Sequence, residues 1–187
     1  MSERTGVVSD ASPAFVPPAQ SAPKTADSYG VASGLERFRS AWKSYVLQSF
    51  LAGMTTLVIL LALSLENSVV IAALGASAFI VFGRPFDLTA RSRNVIGGHM
   101  LGFLVGSACC LLPEEPAFAS LLSYALAVGL SVFIMVVLYM QHPPAAATAL
   151  GVAVQGSSWE AFLAILTFTL VLSVVHFALK SRLRNLF

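Results

Sequence analysis

The sequence predicts an all-α polytopic membrane protein, and three observations predict it. The chain of 187 residues is 57% hydrophobic and only 11% charged, with a mean hydropathy of +0.81, outside the range of ordinary soluble domains. Its charges are segregated: between residues 44 and 83 the one charged side chain is Glu66, and between 94 and 179 there are only Glu114, Glu115 and Glu160. Beyond Arg4 and Lys24 in the N-terminal stretch, Lys and Arg gather in three short clusters separated by apolar runs. Uncharged runs bounded by basic clusters are the pattern of membrane spans and their cytoplasmic ends.

Four segments are long enough to span, at 45–65, 95–112, 117–139 and 159–179. Trp42, Tyr45, Tyr139 and Trp159 lie near their ends, where amphipathic rings favour the interface. Ser157 with Glu160 forms a capping box for the last of them. Two shorter apolar pieces remain, 68–82 and 145–154. Charge decides whether these cross. The basic clusters are Arg37, Arg39 and Lys43; Arg84, Arg91 and Arg93; and Lys180, Arg182 and Arg184. The positive-inside rule puts all three in the cytoplasm only if both short pieces cross. That gives six crossings with both termini cytoplasmic.

The first forty residues, with "SDASPAFVPPAQSAPKTADSYG", have no apolar periodicity and predict a disordered cytoplasmic tail over 1–40. They lack the basic start and apolar core of a signal peptide, and Glu3, Asp10 and Asp27 argue against an organelle transit peptide. The expected location is a bacterial inner (plasma) membrane. The net charge of +2 points to no nucleic-acid partner. Cys109 and Cys110, adjacent and in an apolar run, read as packing residues.

Six crossings divide into two halves of opposed topology, about 45–112 and 117–180. Aligned without a gap, Gly75-Ala76-Ser77-Ala78-Phe79 in the first short piece lies over Ala146-Ala147-Thr148-Ala149-Leu150 in the second. Matched short, Gly/Pro-interrupted segments in two halves point to a transport site in an inverted 3+3 repeat. The stretch "QHPPAAATAL", 141–150, is the clearer interruption. Pro143 and Pro144 disfavour helix before them, and Pro144 suits a first helical turn. About 12 Å of extended chain over 141–144 plus about 18 Å of helix beyond it matches a bilayer core of about 30 Å. In the first half, Gly75 is the expected matching break, with a half-helix from Ala76. Two half-helix N-termini facing each other form an anion site, lined by Gly75, Ala76, Ser77, Pro143, Pro144, Ala146 and Thr148, with His142 as donor or proton partner. His99, in "GGHMLG", is a polar residue inside a crossing and joins the set.

At these residues the chain resembles the HPP family of integral membrane proteins, named for the His-Pro-Pro motif. The resemblance rests on "QHPPAAATAL" and "GASAFIVFGRPFDLTARSRNVIGGHMLGFLVG" and covers about 45–179, so 41–187 is expected to be an HPP-type transmembrane domain. The family usually has glycine where this chain has Ala146. It implies four spanning helices, and relatives implicated in nitrite transport, a small inorganic anion. Nitrite is the first-choice substrate, with nitrate or formate behind it. An uncoupled channel and a proton-coupled carrier are both compatible with these residues. The alternative is a non-transporting membrane assembly or regulatory subunit. It draws on the small-residue ridge Gly98, Gly102 and Gly106, which favours close packing within the bundle or a homo-oligomer. No nucleophile elbow, phosphate loop or metal-ligand spacing is present, so neither an enzyme nor a cofactor or metal site is expected.

Overall fold

A computed structural model describes residues 31–63, 68–113 and 115–187. Every long element in it is a helix: α1 Val31–Leu63, α2 Ser68–Gly83, α3 Ser92–Cys109, α4 Ala117–Val137, α5 Pro144–Gln155 and α6 Trp159–Leu179. Among the described residues, three stretches are long and apolar enough to cross a bilayer, Phe38–Leu61, Ala117–Val137 and Trp159–Arg182. The fourth expected span, α3, has 18 residues, and Arg93, Asn94, His99 and four glycines dilute its apolar character. The two short apolar helices are α2 and α5, with 16 and 12 residues. Phe118, Phe177 and Leu104 stand outward at 73%, 82% and 61% exposure, large apolar side chains that fit lipid and not water.

The helices alternate in direction, and hydrogen bonds between their connections show it. Leu186 N–H donates to the Gly83 carbonyl at 2.9 Å, and His176 Nε2 donates to the Pro85 carbonyl at 2.9 Å. Arg93 donates to the Leu138 carbonyl at 3.3 Å and Asn94 to the Gln141 carbonyl at 3.1 Å. The ends of α2, α4 and α6 and the starts of α3 and α5 therefore meet at one end of the bundle, which carries Arg84, Arg91, Arg93, Lys180, Arg182 and Arg184. At the opposite end Ser107 and Ser157 share a hydrogen bond of 2.8 Å.

The short helix α5 packs against α3, α4 and α2. Its intimacy with α3 comes from the glycine ridge. A methyl at Gly98 would fall 2.8 Å from His142 Cβ, one at Gly106 would fall 2.5 Å from the Ala149 carbonyl oxygen, and one at Gly102 would collide with the Ala145 carbonyl. The ridge is covered by α5, so the homo-oligomer contact expected from Gly98, Gly102 and Gly106 has no free surface there. Leu74, Phe82, Val95, Ile165, Phe168 and Leu172 fill the core beside it.

Beyond α6 the chain returns as a strap. Gln48 accepts from Arg184 N–H at 3.2 Å and donates to the Arg184 carbonyl at 2.8 Å and to the Phe82 carbonyl. Tyr45 donates to the Leu186 carbonyl. Phe187 stacks on Phe79 with ring centroids 5.5 Å apart, closing the end of an apolar cavity of about 220 Å³ between α1 and α2.

Four local expectations are corrected. α2 runs unbroken through Gly75, because an alanine- and glycine-bearing stretch without proline keeps its helical bonds. Pro143 is already helical, at φ −50 and ψ −39, so the non-helical run ends at His142. Tyr139, at φ 54, turns the chain out of α4. Ser158 caps α6, accepting from Ala161 N–H at 3.1 Å, while Ser157 turns to Ser107. The chain divides at residues 40 and 41 into two units, where the expected tail ends. Residues 31–40 are helical, and helical dihedrals lapse at Ala41 (φ −136, ψ 17). The disorder expected before Val31, and the placement of Glu66 and Glu114, lie outside the described residues.

Candidate functional site

Four polar side chains that are each 0% exposed meet inside the bundle: Ser77 of α2, His99 of α3, His142 before α5, and Thr148 of α5. Each is placed by a different local cause. Ser77 sits one helical turn after Ala73 and its hydroxyl lies 2.8 Å from the Ala73 carbonyl, the back-bonding open to serine in a helix. His99 follows Gly98, whose missing side chain lets His142 Cβ approach. His142 is the last non-helical residue before the two prolines. Thr148 lies one turn into α5, on the face that carries buried Ala145, Ala149 and Val152.

The four groups form one chain of hydrogen bonds. Thr148 Oγ1 lies 2.7 Å from His99 Nδ1, and His99 Nε2 lies 2.8 Å from Ser77 Oγ. Ser77 Oγ in turn lies 2.9 Å from His142 Nε2. His142 Nδ1 ends the chain, 2.8 Å from the Thr89 carbonyl. A carbonyl oxygen only accepts, so His142 Nδ1 carries a proton. The two imidazoles face each other with centroids 5.0 Å apart, and Phe168 closes the side of His99 edge-on at 6.5 Å. Chains of this kind in a low-dielectric interior are rigid when every member is satisfied and costly when one is lost.

Of the nine sequence-predicted site residues, Ser77, His99, His142 and Thr148 come together. Pro144 is buried at the start of α5, and Ala146 is half-buried on it. Gly75 and Ala76 are exposed on α2, and Pro143 is exposed at the α5 N-terminus. Gly75 and Ala76 therefore stand away from the buried chain, as the unbroken α2 requires. The backbone N–H groups expected to face a ligand are also partly engaged. Ala145 N–H donates to the His142 carbonyl at 2.9 Å and Ala146 N–H to the Pro143 carbonyl at 3.1 Å. The site is thus built from side chains more than from helix ends.

Sequence reasoning missed Thr89, which contributes through its backbone and so leaves no side-chain signal. Arg93-Asn94 stands out in the sequence as able to gate or recruit anions, but not as an anchor: the Asn94 side chain donates to the carbonyl of Gln141 beside His142. An amide in the first turn of a crossing, between an arginine and an apolar run, was the available clue.

A helical membrane bundle around a buried chain of two histidines and two hydroxyls defines the class. Residues 37–185 match the family described as HPP, transmembrane region, and the chain belongs to that family. Two curated relatives from Dictyostelium discoideum are similar to it, both described as transmembrane proteins. One is 39% identical over 105 residues, covering 54% of this chain and 36% of the relative. The other is 31% identical over 123 residues, covering 64% of this chain and 38% of the relative. The matches thus span little more than a third of those relatives' lengths. No solved structure matches the chain.

Proposed function

We propose that this protein is a small-anion transporter or channel of a bacterial inner membrane, with nitrite the first-choice substrate. The observation that carries this reading is the buried chain Thr148–His99–Ser77–His142 in the interior of a membrane bundle. Intramembrane polar groups are costly to bury and mark ion and substrate pathways. Ser77 and Thr148 are the hydroxyls that the inverted 3+3 alignment matches, and they bond the two opposite nitrogens of His99. That pseudo-symmetry about one histidine supports the repeat. The basic end of the bundle is read as cytoplasmic, with both termini there.

In the described state the donors satisfy one another and the site is closed. An entering oxyanion replaces the Ser77–His142 and Thr148–His99 bonds with bonds to its own oxygens, so little hydrogen bonding is lost on binding. Proteoliposome flux of nitrite tests this. The protein is expected to raise nitrite entry above that of empty liposomes. Ser77→Val with Thr148→Val is expected to lower it by about tenfold or more, since each lost hydrogen bond is worth roughly 1 kcal/mol. Unchanged flux in a folded double variant removes the hydroxyls from the mechanism.

The full mutual satisfaction of the four side chains also favours a second reading, a membrane assembly or regulatory subunit that moves nothing. There the chain would only fix α2, α3 and α5 in register. Absence of nitrite flux in the wild type, with the bundle folded, selects it.

A further inference from the structure

Ser77 Oγ has three hydrogen-bonding neighbours: the Ala73 carbonyl at 2.8 Å, His99 Nε2 at 2.8 Å and His142 Nε2 at 2.9 Å. A hydroxyl has one proton to donate and two lone pairs to accept with. The Ala73 carbonyl can only accept, so making all three bonds sends the serine proton there. Both histidine Nε2 atoms must then donate to Ser77. His99 satisfies this while neutral, because its Nδ1 accepts from the Thr148 hydroxyl. His142 does not, because its Nδ1 already donates to the Thr89 carbonyl. With protons on both nitrogens, His142 is an imidazolium.

A neutral His142 forces the other arrangement. Its bare Nε2 takes the Ser77 proton, and the Ser77–Ala73 bond is given up. The Ser77 hydroxyl is thus a rotor whose two positions differ by one proton on His142.

The charged arrangement lacks a counter-charge. Among the described residues the ion pair is Arg84–Asp87 at 2.9 Å, and no carboxylate is paired with His142. The titratable group facing it is His99 of α3. From α2 it meets Ser77, from the α2–α3 connection the Thr89 carbonyl, and from α3 also the backbone of Gly98. Arg93 at the start of α3 is directed to the Leu138 carbonyl. A buried cation without a partner is strongly disfavoured, and one bound monovalent anion removes that cost.

We propose that the Ser77–His142 pair couples the anion to one proton, so that the protein carries a monovalent oxyanion together with H⁺ as an electroneutral pair. This rests on the transport reading above. On the loading side a hydronium proton forms the Nε2–H bond of His142, Ser77 rotates to Ala73 and the anion binds. On the unloading side the Nε2–H bond breaks to water, Ser77 rotates back and the anion leaves with its charge unchanged.

The test reconstitutes the full chain in liposomes holding a pH dye, adds nitrite, and sets the membrane potential with potassium and valinomycin. Empty liposomes provide the background. The expected result is roughly one proton per nitrite, one donor position on His142 being exchanged per cycle, with uptake rates unmoved by the potential. Nitrite uptake that follows the potential without acidification overturns the coupling and leaves the transport reading standing. Absence of nitrite uptake overturns both. His142→Gln keeps a donor amide but has nothing to titrate, and is expected to retain slowed nitrite uptake that now follows the potential. Proton coupling that survives His142→Gln overturns the role given to His142, and the wild-type stoichiometry decides the coupling itself if that variant does not fold.

Discussion

At the scale of single residues, Thr148 shows how little freedom the buried chain leaves. Its hydroxyl is the donor that His99 Nδ1 needs when His99 Nε2 serves Ser77. Thr148→Val keeps the volume and removes the donor, leaving a buried nitrogen unsatisfied at a cost of about 1–3 kcal/mol. Thr148→Ser keeps the donor and forfeits only a methyl, about 1 kcal/mol. Thermal midpoints in detergent are expected to fall further for valine than for serine, and equal midpoints would mean the bond contributes nothing. The residues of this chain were legible in the sequence, because a histidine or hydroxyl inside an apolar crossing is conspicuous against its neighbours. Their pairing was not legible. It depends on Thr89 offering a carbonyl from a connection, and carbonyls carry no sequence signal. Gln48 escaped notice for the opposite reason. It lies in a long apolar run, but its role is to hold the returning 184–187 strap, and strands of coil leave no periodicity.

At the scale of elements, glycine meant different things in α2 and α3, and the sequence alone did not separate them. A methyl on Gly75 meets nothing within 4 Å, so that residue marks neither a break nor a close approach. Gly75→Ala is expected to be neutral or to stabilise by up to about 1 kcal/mol through helix propensity. Gly102→Ala puts its methyl onto the Ala145 carbonyl, backbone that cannot step aside, and is expected to cost about 1–3 kcal/mol or to prevent folding. Comparing the two by size-exclusion profile and thermal midpoint checks the packing of α3 on α5; a harmless Gly102→Ala would contradict it. The start of α6 makes a parallel case. Two adjacent serines precede the helix, and only the geometry tells that it is the Ser158 oxygen that accepts the capping bond from Ala161 N–H. Ser158→Ala is expected to lower stability by about 1 kcal/mol. Ser157→Ala removes only the exposed bond to Ser107, and an equal loss there would return the cap to Ser157.

At the scale of the whole molecule, the two short helices decide the topology. α5 has 12 residues, a rise of about 18 Å, well short of a hydrocarbon core of about 30 Å. It still joins opposite ends of the bundle, because Met140, Gln141 and His142 supply the missing length in non-helical form. Backbone of that kind is tolerated at membrane depth only where protein groups engage it, and here the Gln141 carbonyl accepts from the Asn94 amide and His142 Nδ1 donates to the Thr89 carbonyl. The charge asymmetry of the sequence points the same way, since the positive-inside rule puts the three basic clusters on one side only if both short pieces cross. Labelling with a membrane-impermeant maleimide tests the orientation, using Cys109→Ala with Cys110→Ser as the background. Arg91→Cys, at the exposed basic end, is expected to react only after the membrane is opened. Glu160→Cys, exposed at the other end, is expected to react in intact spheroplasts. Reaction of both positions from the same side would mean that α3–α6 do not alternate across the bilayer, and the buried histidine chain could then no longer lie between two aqueous compartments.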